Sequence, residues 1–102
     1  MSVDSVAAEA ALVAVKRMYE RARVLEHRGQ LITINAFTDQ SEPLRPQVLA
    51  GIATLIAERV RSIDFDVVAG EEDKGAHIAT AVSLETGKPL TLARWYLYHP
   101  GA

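Results

Sequence analysis

The chain has 102 residues, nearly half of them apolar, with 11 Lys and Arg against 13 Asp and Glu. This size and composition indicate one small globular domain, or part of one, rather than a disordered chain. The balanced charge, without a basic run, argues against binding to duplex nucleic acid or to an anionic membrane, and the absence of cysteine excludes disulfides and thiolate metal sites.

The N-terminal segment and the hydropathy suggest where the protein resides. The first nine residues hold two acids and no base, unlike a secretory signal. The longest apolar runs are far shorter than a membrane span. We therefore expect a soluble cytoplasmic protein.

The first predicted element is a helix over residues 4–27. Alanine is frequent there, Pro and Gly are absent, and apolar residues recur every three or four positions. Ser2, Asp4 or Ser5 could cap its start. Gly29 suits the position just past its end, where a left-handed backbone is common.

A strand, a loop and a second helix follow. Residues 31–34 alternate between apolar and polar side chains at Thr33 and include β-branched residues, which predicts a short strand. The polar stretch 35–43, with Phe37 alone in its middle, predicts a loop. Residues 45–61 carry one apolar stripe and predict a helix. Pro46 suits its first turn, because the missing N–H would have no partner there.

The next three elements form a strand–helix–strand unit. The apolar run 66–69 predicts a strand buried on both faces. Residues 75–85 predict a helix that Gly87 ends, and 90–93 predict a second strand. This order is typical of a βαβ unit with parallel strands and a right-handed crossover, so the fold class is α/β.

The loop 70–75 joins the first of these strands to the helix. Ligands of open parallel sheets bind beyond the carboxyl ends of the strands, and a helix N-terminus favours an anion, above all phosphate. Lys74 could add a point charge. Glu71, Glu72 and Asp73 suit an anion only if a divalent cation lies between or if they face away. A solvated turn is the alternative that composition alone favours.

The order and spacing of these segments resemble the type I phosphoribosyltransferases. The stretches FDVVAGEEDKG at 65–75 and ETGKPL at 85–90, with Arg94 after them, are similar to the central portion of that family. The stretch INAFTDQ at 34–40, followed by LRP at 44–46, is similar to the hood that covers the nucleobase in xanthine and archaeal-type purine enzymes. The likeness is greatest to the adenine, hypoxanthine and xanthine branch.

The resemblance implies one partial phosphoribosyltransferase domain, from the N-terminal portion of that fold. Residues 1–29 would form an N-terminal helix, 30–46 the hood, and 47–102 the parallel βαβ core with the start of a flexible loop. The family's ribose-phosphate motif, two acids before a Thr- and Gly-rich turn, has no match in this sequence. The chain would then be a shortened chain, half of a split enzyme, or a remnant kept for a non-catalytic role.

The resemblance also assigns roles by position. Lys74 and Arg94 would be the catalytic cations that contact the phosphates of phosphoribosyl pyrophosphate, although Trp95 stands where the family usually has a second basic residue. Phe37 would pack on the base. The substrate-binding residues would be Asn35, Phe37, Asp39 and Gln40 in the hood and Glu71, Glu72, Asp73 and Gly75 in the loop.

These roles imply a purine phosphoribosyltransferase, which forms a nucleoside monophosphate and pyrophosphate from a base and phosphoribosyl pyrophosphate. Mg²⁺ would arrive with the substrate's pyrophosphate, and no metal site of the protein itself is expected. Expected partners are the purine, phosphoribosyl pyrophosphate and a second copy in a homodimer, or a complementing chain. The alternative is a non-catalytic purine-sensing or dimerising half-domain derived from the same fold.

Overall fold

The computed structural model describes residues 2–94, which form four helices and four short strands. The elements in chain order are α1 (Ser5–Glu20), β1 (Arg23–His27), β2 (Gln30–Ile34), α2 (Ala36–Asp39), α3 (Pro46–Val60), β3 (Val68–Glu71), α4 (Ala76–Thr86) and β4 (Leu90–Ala93). β1 and β2 form an antiparallel hairpin, and β3 and β4 form a parallel pair. The predicted α/β class with a parallel βαβ unit is confirmed.

The predicted first helix is too long. α1 is capped by the Asp4 carboxylate, which accepts the Ala7 N–H at 2.8 Å, and the helix ends at Glu20. The following residues form the β1–β2 hairpin, whose two-residue turn is Arg28–Gly29 with φ of 51° and 78°. Two successive positive φ values are typical of the tight hairpin turns that match the twist of paired strands. Gly29 therefore turns a hairpin rather than ending a helix.

Small residues let α1 and α3 pack closely. Ala8 and Ala11 of α1 are almost completely buried. A Cβ atom at Gly51 of α3 would lie only 2.4 Å from the Cβ of Ala11, so only glycine fits at this crossing. α3 itself runs from Pro46 to Val60, one residue shorter at each end than the predicted helix over residues 45–61. This helix pair supports the hood segment that precedes α3.

The stretch predicted as a loop contains the short helix α2. Asn35 is its N-cap, and the side-chain oxygen accepts the N–H groups of Phe37 and Thr38 at 2.8 and 2.9 Å. The Asp39 carboxylate reaches back to the Asn35 N–H at 3.0 Å. These reciprocal caps stabilise a helix too short to show an apolar period.

The parallel pair is shifted relative to its prediction. β3 is Val68–Glu71 rather than residues 66–69, and it alternates between half-buried and exposed instead of being buried on both faces. Among residues 2–94, β3 pairs with β4 alone, with Glu71 opposite Ala93 in register. Gly87 ends α4 with φ of 74°, as predicted. Within residues 2–94, no helix has the length and apolar character to cross a bilayer.

Candidate functional site

The candidate site lies at the carboxyl edge of the parallel pair, the end at which Glu71 and Ala93 are paired. Residues 72–75, which we call the 72–75 turn, connect β3 to α4. The Glu72 N–H donates to the Ala93 carbonyl at 3.1 Å, which ties the turn to the end of β4. Arg94 follows β4 directly, so both predicted cations flank this edge.

Lys74 is paired with the hood. Its Nζ donates to Asp39 Oδ1 at 2.7 Å, and the two side chains are 54% and 18% exposed. The hydrogen bond from Lys74 lowers the pKa of Asp39, with a further contribution from the Asn35 N–H. The same bond raises the pKa of Lys74. Two residues assigned to different substrate groups therefore neutralise each other.

The Glu71 carboxylate accepts hydrogen bonds from backbone N–H groups of the 72–75 turn. Its two carboxylate oxygens accept the N–H of Asp73 at 2.6 Å and of Lys74 at 3.0 Å. The Gly75 N–H donates to the Glu71 carbonyl at 3.0 Å. Successive N–H groups that converge on one carboxylate form a concave nest suited to an oxyanion. Here the nest is filled by the chain's own carboxylate.

Arg94 is paired within the same edge. Its Nη1 donates to Glu72 Oε2 at 2.9 Å, with side chains 55% and 31% exposed. The pair joins the 72–75 turn to the residue after β4. The guanidinium thus lies where it could reach a phosphate bound above the sheet edge.

Comparison with known proteins shows what this chain is similar to. No family model and no solved structure matches it. It is 43% identical over 61 residues to a hypoxanthine/guanine phosphoribosyltransferase of Methanobrevibacter ruminantium and 46% identical over 61 residues to an orotate phosphoribosyltransferase of Thermococcus gammatolerans, in each case 60% of this chain and 32% of the relative. It is 36% identical over 78 residues, 76% of this chain, to HGPRTase-like protein 3 of Haloterrigena turkmenica, of which 42% is covered.

The chain is a relative of the type I phosphoribosyltransferases. The resemblance inferred from the motifs is thereby confirmed at the level of the family. The matched segment spans between about a third and two fifths of the relatives' own length. Relatives named for hypoxanthine and guanine and relatives named for orotate both occur, so the comparisons leave the base undecided.

Phe37 and Asn35, two hood residues predicted to bind the base, take part in the packing and capping of α2. The Phe37 ring is only 6% exposed and packs with Val15 and Val48, so it offers no open face for a base. Asn35 is 5% exposed, and its Oδ1 and Nδ2 both bond within α2. α2 folds both side chains into its own cap and core in this conformation, and their assignment to base binding stays a prediction. Gln40 is exposed with φ of 47°, and its base-binding role stays a prediction.

The N–H groups of the 72–75 turn are not open to an anion in this conformation. Every N–H from Glu72 to Gly75 has an acceptor inside the chain. Glu71 belongs to β3, and its exposed carboxylate bonds to N–H groups of the turn. Asp73 is exposed, and its role stays a prediction. Trp95 and the flexible loop predicted to begin near it lie outside the described residues.

The sequence reasoning did not single out His77. Its Nε2 lies 2.7 Å from the Phe37 carbonyl, and its ring meets the Phe37 ring edge-on with centroids 5.7 Å apart. Together with the Asp39–Lys74 pair, this contact fixes α2 against the start of α4. A lone histidine near a helix start gives no sequence signal for such a link. Among residues 2–94, no three His, Asp or Glu side chains are grouped as a metal site.

Proposed function

We propose that this chain supplies the pyrophosphate end and the hood of a purine phosphoribosyltransferase that acts in purine salvage in the cytoplasm. The observation that carries the proposal is that Lys74, in the 72–75 turn after β3, and Arg94, directly after β4, both flank the carboxyl edge of a parallel β-pair. Ligands of parallel sheets bind at such an edge. The similarity to phosphoribosyltransferases over the matched segment supports it.

The reaction would break the bond between C1 of the ribose and the pyrophosphate oxygen. The electron pair leaves with pyrophosphate, positive charge develops on C1, and a nitrogen of the base forms the new bond and loses its proton. Lys74 and Arg94 would neutralise the growing charge of the leaving group, Lys74 as a point charge and Arg94 through its planar fork. Mg²⁺ would enter as the complex with the substrate's pyrophosphate.

Asp39 is the hood residue best placed to read the base. Its carboxylate is fixed by the Asn35 N–H, and its other oxygen faces the 72–75 turn through Lys74. A carboxylate oxygen there would accept a ring N–H of a purine. The hood stretch 34–40, similar to that of xanthine and archaeal-type purine enzymes, favours a purine over orotate.

The test measures the pyrophosphate that the full-length gene product releases from phosphoribosyl pyrophosphate in the presence of Mg²⁺ and one of five bases: hypoxanthine, guanine, adenine, xanthine or orotate. We expect release with at least one purine and none with orotate. Release with orotate alone would contradict the purine assignment while retaining phosphoribosyl transfer. No release with any base would contradict the enzymatic proposal.

A second candidate is a non-catalytic half-domain that associates with a second copy or a complementing chain. Both strands of the β1–β2 hairpin are solvent-exposed along nearly their whole length. Val24 is 62% exposed and Leu31 78% exposed. An isolated two-stranded hairpin is marginally stable in water, so an apolar hairpin of this kind favours a partner. A tight dimer in sedimentation that binds neither base nor pyrophosphate would favour this candidate.

A further inference from the structure

We propose, on the basis of the proposed function, that the Asp39–Lys74 ion pair is a latch: a diphosphate anion binds the 72–75 turn only by taking Lys74 from Asp39. The latch connects two segments 35 residues apart in sequence, the hood and the turn. It lowers the affinity of the unliganded turn for anions and couples the two substrate sites.

The two side chains of the latch differ in how firmly their surroundings hold them. Asp39 is held by the Asn35 N–H at 3.0 Å and approached by the Thr38 hydroxyl at 3.4 Å, and its side chain is only 18% exposed. Lys74 is 54% exposed on a flexible four-carbon stem. Lys74 is therefore the partner that moves when a competing anion arrives, and Asp39 stays in place.

Other acids surround the ammonium and act in the same direction. Asp73 and Glu71 add to the attraction that raises the pKa of Lys74. The Glu71 carboxylate also accepts the N–H groups of Asp73 and Lys74 in the turn. An entering anion must compete with these internal carboxylates. A diphosphate can do so because it brings several strong acceptor oxygens and more charge than one carboxylate.

Release of Lys74 has a consequence for the hood. The Asp39 oxygen that accepted from the ammonium is left without that partner beside the turn. A carboxylate that has lost its hydrogen bond binds a new donor more readily, and the ring N–H of a base is such a donor. Anion binding therefore readies Asp39 for the base, and base binding favours the anion by the same factor.

The first test is calorimetric titration with inorganic pyrophosphate of the unmodified protein and of Asp39→Asn. Asparagine keeps an oxygen for the Asn35 N–H, so α2 retains its cap. We expect pyrophosphate to bind Asp39→Asn about two- to fivefold more tightly, the range of a surface ion pair. Glu42→Gln is the matched control, because it removes one exposed charge within the hood segment without touching the latch. It should leave the affinity unchanged.

The outcomes separate the latch from the proposed function. Equal or weaker binding by Asp39→Asn, with normal binding by the unmodified protein, would overturn the latch alone. A gain of the same size in Glu42→Gln would overturn it as well. No pyrophosphate binding by any of the proteins would contradict the proposed function and the latch with it.

A second measurement needs no variant. The Asp39 carboxyl carbon is titrated by NMR with and without saturating pyrophosphate. The bond from Lys74 holds the pKa of Asp39 below its usual 3.8, so release of Lys74 should move the titration midpoint upward. An unchanged midpoint at saturation would overturn the latch.

Discussion

Replacing Gly70 with alanine should lower the free energy of unfolding by about 1–3 kcal/mol, the usual cost of forcing an extra group into a packed site. A Cβ at Gly70 would lie 2.4 Å from the Cβ of Ala79, 3.3 Å from the Gly75 carbonyl oxygen and 3.5 Å from Leu92. Ala79 is itself only 6% exposed and cannot move aside alone. α4 would have to shift away from β3 and carry the 72–75 turn with it. Urea denaturation measures the loss.

Gly75→Ala is the matched control for this effect. A Cβ there would meet the Glu71 carbonyl oxygen at 3.4 Å, an ordinary contact, and its φ of −118° suits any residue. We expect its unfolding free energy to stay within about 0.5 kcal/mol of the unmodified protein. Equal losses in the two variants would contradict the close approach of α4 to β3 at Gly70.

Lys74→Gln should weaken pyrophosphate binding by about tenfold or more. Glutamine removes the charge, and a hydrogen bond to a charged group contributes about 1.5–3 kcal/mol, where 1.4 kcal/mol is a factor of ten. The loss is partly offset, because the unmodified protein must break the Asp39–Lys74 pair to bind pyrophosphate and the variant has no such pair to break. Calorimetric titration with pyrophosphate measures the change.

Lys88→Gln provides the comparison for Lys74→Gln. Lys88 follows α4 at its opposite end, with its ammonium 5.6 Å from the centre of the Phe65 ring. The substitution alters net charge equally but leaves the 72–75 turn intact, so affinity should change little. An equal loss in both variants would mean that pyrophosphate responds to overall charge rather than to Lys74.

The elements that sequence predicted well are those determined by local chemistry. Pro46 sets the start of α3, and Gly87 provides the left-handed residue that ends α4. The helix predicted across residues 21–27 was wrong, because the side chains of that segment fit both the spacing of a helix and the alternation of a strand. The Arg28–Gly29 turn brings residues 23–27 beside residues 30–34, and the two segments pair as strands instead of extending the helix.

The site was less predictable because its contacts join distant segments. Nothing in the local sequence indicates that Lys74 pairs with Asp39, or that Phe37 turns into the core beside Val15 and Val48. From the resemblance, Lys74 and Arg94 were expected beside the same edge of the sheet, and they flank the carboxyl edge of the β3–β4 pair. The hood contacts this edge through the Asp39–Lys74 pair. It did not predict that internal carboxylates, Glu71 among them, would occupy the groups meant for an anion.

The most direct test of the pyrophosphate role of the turn is to map amide NMR shifts while inorganic pyrophosphate is added. We predict saturable shifts centred on the 72–75 turn, with accompanying changes at Asp39 and Arg94, and little change in the β1–β2 hairpin. Shifts scattered over other basic surfaces, or a turn that stays unperturbed at millimolar pyrophosphate, would contradict a diphosphate site at this edge.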